Sequence, residues 1–148
     1  MLYFSRDAVD WAIAIKTWTK LAHVEIYVGN GMSVASRNGV GVGLYPVRWP
    51  GLAVVRRSKV SPNLVAAQRW FNLTANGQKY DWLGLLCFTL AVKQGAPDRM
   101  FCSEFWTRWM RHAGVEPFNP TWDADRTPPS FCYVSGALET IWQDGDLF

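Results

Sequence analysis

The sequence predicts an α+β fold, with an antiparallel sheet from the first half of the chain packed against helices from the second. Two observations carry this. Between Leu21 and Ser58, short strand-like runs are separated by Gly29-Asn30-Gly31 and by Arg48-Trp49-Pro50-Gly51. After Ser61, the apolar residues recur at helical spacing instead. Size gives a third constraint. A chain of 148 residues, 49% hydrophobic and 18% charged, fits one domain over 1–148 with an ordinary core.

Taken in order, Asp7 caps a first helix whose stripe is Ala8, Trp11, Ala12, Ile15 and Trp18. Leu21 to Val28 reads as a strand, Gly29-Asn30-Gly31 as a hairpin turn, and Met32 to Arg37 as the partner strand. Val40 to Val47 and Leu52 to Ser58 are two further strands. Ser61-Pro62 opens a helix to about Leu73, because proline suits a first turn. Asp81 caps an apolar helix from Trp82 to Val92, and Gly95 to Asp98 is a loop. A third helix runs from Cys102 or Ser103 to His112, with Gly114 at its C-terminal cap. Val115 to Ser130 reads as a loop, and Ser135 to Gln143 as a last short helix.

Several function classes fall away on composition. The net charge of +3 is mild, and only Arg56-Arg57-Ser58-Lys59 is a basic cluster, so no nucleic-acid partner is expected. The longest apolar stretch, Trp82 to Val92, is shorter than the ~20 residues of a membrane span. No secretory signal is read at the N-terminus, so the expectation is a cytoplasmic protein or a virus-encoded one acting at the cell wall. Cys87, Cys102 and Cys132 lack the spacing of a disulfide framework or a zinc site, and neither metal nor cofactor is expected. The nine tryptophans are expected mostly in the core.

Two residues carry the chemistry. Cys102 opens a helix, where backbone N–H groups and the helix dipole favour a thiolate. It shares a face with Phe105, Trp106, Trp109 and Ala113, so the sulfur points towards the sheet. A lone cysteine there is ordinarily a core residue. His23 alternates with Val24, Ile26 and Val28, which puts His23, Glu25 and Tyr27 on one polar row. A strand histidine and a helix-start cysteine can form a base–nucleophile pair if the fold brings them together. His112, in a last helical turn, reads as structural.

At these residues the chain resembles the permuted papain-like amidases of the YaeF/YiiX type, in the NlpC-type cysteine peptidase superfamily. That superfamily includes the lecithin:retinol acyltransferase-like enzymes. His23-Val24-Glu25-Ile26-Tyr27-Val28-Gly29-Asn30-Gly31 is similar to the family's histidine strand and turn. Gly77-Gln78-Lys79-Tyr80-Asp81 is similar to its Gly-x-x-Tyr-Asp element, and Phe101-Cys102-Ser103-Glu104-Phe105 to its nucleophile motif. The resemblance implies a circularly permuted papain-like fold in which the histidine strand precedes the cysteine helix. It implies a cysteine hydrolase, an amidase or peptidase or an acyltransferase, with Cys102 as nucleophile and His23 as base. Its substrates would be small peptides, cell-wall amides or lipid esters. A third polar residue follows on the next strand, a place that falls on Ser36; Glu25, on the face of His23, is the alternative. Tyr80 is a possible oxyanion donor. A binding module for cell-wall peptide, lipid or a protein partner, without catalysis, is the competing expectation.

Overall fold

A computed structural model describes residues 1–5, 11, 13, 15, 17–82, 84 and 98–145. It is an α+β arrangement with two antiparallel sheets. The first has strand order β2-β1-β6-β9, from Leu2–Phe4 (β1), Leu21–Val24 (β2), Leu52–Ser58 (β6) and Leu138–Gln143 (β9). The second is β3-β4-β5, from Ile26–Gly29, Met32–Arg37 and Gly41–Pro46. A short parallel ladder joins Lys79–Tyr80 (β7) to Arg99–Met100 (β8). The helices are Leu64–Trp70 (α1), Cys102–His112 (α2) and Pro129–Val134 (α3). Among the described residues, no helix is long and apolar enough to cross a membrane.

The meander forms where its turns predict. Gly29, Asn30 and Gly31 all have positive φ, which lets the β3–β4 hairpin close tightly. The expected strand from Leu21 to Val28, however, is two strands. It breaks at Glu25, whose N–H donates to the Met1 carbonyl at 2.9 Å, and the chain passes there from one sheet to the other. Periodicity also misses β1, whose pairings with β2 and β6 are all distant in sequence.

The end of the chain corrects another expectation. Leu138–Gln143 is a strand rather than part of a helix, paired antiparallel to β6 with Arg57 opposite Glu139. Those two side chains form an ion pair at 2.6 Å. The run alternates as well as it spirals, and the unpaired edge of β6 decides the outcome. Inside the expected loop from Val115 to Ser130, α3 begins at Pro129, a proline at a first helical position. The helix expected from Ser61 begins at Leu64, because Asn63 accepts the Ala66 N–H as its cap. It continues past Trp70 as a π-helical turn over Phe71–Ala75.

Most of the Asp7–Trp18 helix and of the Trp82–Val92 helix lies outside the described residues, as does Cys87. Trp11, Ile13, Ile15 and Thr17 are helical. Ile13, off the expected stripe, is buried, while Trp11, Ile15 and Trp18 are exposed. Asp81 Oδ1 accepts the Gly84 N–H at 2.7 Å, as a cap should.

Helix α2 is the centre of the core. Cys102, Phe105, Trp106, Trp109 and Ala113 are all buried, against Leu2, Leu21, Val24, Val34 and Val54 from both sheets. Trp109 meets Phe71 edge-on at 5.8 Å. The tryptophans as a set do not fill the core. Only Trp106 and Trp109 are buried, whereas Trp11, Trp18, Trp49, Trp82, Trp122 and Trp142 are exposed.

Gly41 holds the hairpin against the segment leading to β7. Its φ is +101°, and an added Cβ would lie 2.3 Å from the Gln78 carbonyl oxygen. The same carbonyl accepts the Val42 N–H at 2.8 Å, so it has little room to yield. Gly41→Ala is expected to cost about 1–3 kcal/mol, read as a lower urea midpoint. Gly39→Ala, also at positive φ but facing open space, should cost less. Equal losses would show that contact with Gln78 contributes nothing.

Candidate active site

The break at Glu25 creates the site. In a regular strand, side chains two residues apart run parallel and stay about 6.5–7 Å apart. Because the ladder ends at Val24 and restarts at Ile26, the His23 and Glu25 side chains converge instead. His23 Nε2 lies 3.1 Å from Glu25 Oε1. An ionised carboxylate only accepts, so Nε2 carries the proton of this bond, and Nδ1 is left for another partner. The ring also sits 5.8 Å from that of Tyr3, its neighbour across the β1–β2 ladder.

The carboxylate is surrounded by donors. Ser33 Oγ donates to Oε2 at 2.5 Å. Arg37 donates twice, from Nε to Oε1 at 2.8 Å and from Nη2 to Oε2 at 3.0 Å. Arg48 Nη2 reaches Oε1 at 3.2 Å, and the Tyr3 hydroxyl reaches Oε2 at 3.5 Å. Burial pushes the Glu25 pKa up, but the bonds from His23, Arg37 and Ser33 outweigh it and hold the carboxyl well below the usual range.

Ser36 does not orient the imidazole, which corrects the expectation placed on it. The β3–β4 register sets Ile26 opposite Val34 and Tyr27 opposite Ser33. By alternation, Ser33 and Arg37 share the face of Glu25, and Ser36 points away. Ser36 Oγ donates instead to the Met100 carbonyl at 2.5 Å, two residues before Cys102. Glu25, the alternative, is the residue on the ring. Ser33, Arg37 and Arg48 were missed; for the first two the signal was available in the alternation of β4.

Cys102 is the first residue of α2, and no side chain caps that terminus. Its sulfur lies 4.0 Å from the Ala22 carbonyl, one residue before His23. Burial opposes charge on His23. The charge of Cys102 and its side-chain hydrogen bond, together with Glu25, reverse that and raise the imidazole to about 9. Glu25 thus lies on the His23 ring, and the Cys102 sulfur lies against the strand that carries that ring.

The residues that follow Cys102 are anchored. Ser103 Oγ donates to the Thr127 carbonyl at 2.5 Å. Burial raises the Glu104 carboxyl to about 7 despite Arg108, whose Nη2 lies 2.9 Å away. Tyr80 is buried with Ile13 and Phe101, its ring meets Trp82 edge-on at 5.2 Å, and its backbone pairs with Met100. His112 stacks on Trp70 at 4.6 Å, where burial lowers its pKa. Cys132 is fully buried, which pushes its thiol well up. Among the described residues, no group of three His, Cys, Asp or Glu side chains is placed to hold a metal ion. No family model matches the chain, and no curated protein matches it.

Two pH limits on stability follow. Glu25 has a depressed folded pKa, so its contribution is present above about pH 4.5 and is lost as pH falls below that. His23 has a raised folded pKa, so its contribution is full below about pH 6.5 and is lost as pH rises through about 9. The urea midpoint should therefore be highest between these limits and decline on both sides. Glu25→Gln leaves Arg37 without its buried counter-charge, at a cost of about 3–5 kcal/mol, and should flatten the acid limb. An acid limb unchanged in Glu25→Gln would assign it to other carboxylates.

Proposed function

We propose that this protein is a cysteine hydrolase or acyltransferase of the permuted papain-like kind, with Cys102 as nucleophile and His23 as base. The observation that carries this is the relay itself. Glu25 takes Nε2 of His23, and the charge and hydrogen bond of Cys102 help to raise the imidazole to about 9, while the Cys102 sulfur lies 4.0 Å from the carbonyl of Ala22, the residue before His23. The order of elements, histidine strand first and cysteine helix later, agrees with the permuted arrangement.

In the proposed reaction, Nδ1 of His23 accepts the Cys102 proton and the thiolate attacks a carbonyl carbon. The first-turn N–H groups of a helix lack intrahelical acceptors, so the uncapped start of α2 offers donors to the oxyanion. Tyr80 is proposed as a second donor. The imidazolium then protonates the leaving group, leaving a thioester on Cys102, which water or another acceptor resolves. Glu25 fixes the ring and stabilises its charged form. The resemblance in sequence favours amides of small or cell-wall peptides, or lipid esters, as substrates.

A second reading has one observation in its favour. Cys102 is 1% exposed, and such a closed site suits a scaffold that binds without reacting. An activity-based acyl probe, followed by peptide mapping, separates the two. Catalysis predicts a thioester on Cys102, abolished in Cys102→Ala and His23→Ala. Glu25→Gln should slow acylation by about a hundredfold, or about 2.7 kcal/mol. An unlabelled Cys102 in the intact protein would favour the binding module.

A further inference from the structure

Glu25 has more cations around it than its charge balances. Arg37 alone supplies a two-pronged ion pair, and Ser33 and His23 occupy further lone pairs. A carboxylate offers about four such positions. Arg48 makes the longest of the charged contacts, at 3.2 Å, to an oxygen already used by His23 and Arg37. Its Nε is buried and has no hydrogen-bond partner. Even without counting His23, two guanidinium groups face one carboxylate. The surplus lies on Arg48, whose side chain is 41% exposed, against 13% for Arg37.

Its place matters as much as its charge. Glu25 Oε1 is shared by His23 Nε2 and Arg48 Nη2, so the imidazole and the guanidinium meet on one atom. A guanidinium presents five N–H donors in a rigid fork that fits carboxylates and phosphates. We propose that Arg48 forms a subsite for an oxyanion group of the ligand, a carboxylate or a phosphate, beside the His23–Glu25 pair. The inference rests on the reading of Cys102 and His23 as the reacting pair only in calling that ligand a substrate.

The test measures binding without chemistry, in the full chain carrying Cys102→Ala. Titrations with N-acetylglycine, methyl phosphate and N-acetylglycinamide are followed by NMR shifts. Both anions should bind at least about tenfold more tightly than the neutral amide. Adding Arg48→Gln should abolish that preference, and Arg48→Lys should keep part of it. Tighter N-acetylglycine assigns the subsite to carboxylates, and tighter methyl phosphate assigns it to phosphate esters. Equal binding of anions and amide, no binding of any of them, or an anion preference that survives Arg48→Gln overturns the proposal.

A kinetic arm uses the natural thiol. The ratio of alkylation rates of Cys102 by iodoacetate and by iodoacetamide should fall about tenfold in Arg48→Gln. Both reagents meet the same thiolate, so the ratio is insensitive to any change in its fraction, and an unchanged ratio also overturns the subsite. If Cys102 resists both reagents while anions still bind through Arg48, the subsite stands and the catalytic reading falls.

Discussion

The Glu25 carboxylate is almost fully buried and yet charged, a combination that costs several kcal/mol unless donors surround it. Ser33 and Arg37 come from β4, Arg48 from the loop after β5, Tyr3 from β1 and His23 from β2. One carboxylate thus gathers both sheets around a single point. Strand pairing, loop course and ring orientation are mutually required there, because losing any donor exposes the rest of the cluster to an unpaired buried charge.

Cys102 is held in place by different means. Ser36 ties β4 to Met100, Ser103 is anchored to Thr127, and Phe105, Trp106 and Trp109 bury the helix face. Ser36 and Ser103 both donate to backbone carbonyls beside the start of α2, and so restrict where Cys102 can sit. Orientation of the imidazole is electrostatic, and placement of the sulfur is mostly packing.

How much of this was legible in the sequence follows from the range of the interactions. The hairpin at Gly29-Asn30-Gly31, the strands Met32–Arg37 and Leu52–Ser58 and the helix from Cys102 to His112 obey local rules of turn chemistry and periodicity, and they were readable. The pairing partners of Leu2–Phe4 and Leu138–Gln143 are set by distant chain, so one was missed and the other read as a helix. Cys102 and His23 stood out by residue type and position. The role given to Ser36 failed because the register, with Ile26 opposite Val34 and Tyr27 opposite Ser33, is one residue away from the pairing it needs and puts Ser36 on the other face. With the break at Glu25, a residue two places along the chain reaches the ring, and the cross-strand neighbour does not.

The first strand has a consequence for how the molecule is made. Among the described residues, β2 joins its sheet through β1 alone, and the other neighbour of β1 is β6. The strand that carries His23 is therefore tied through Leu2–Phe4 to Leu52–Ser58, a segment distant in the chain. Such distant closures raise contact order and slow folding. The half of the site nearest the start of the chain thus depends on partners that lie far along it, Arg37 and Arg48 among them.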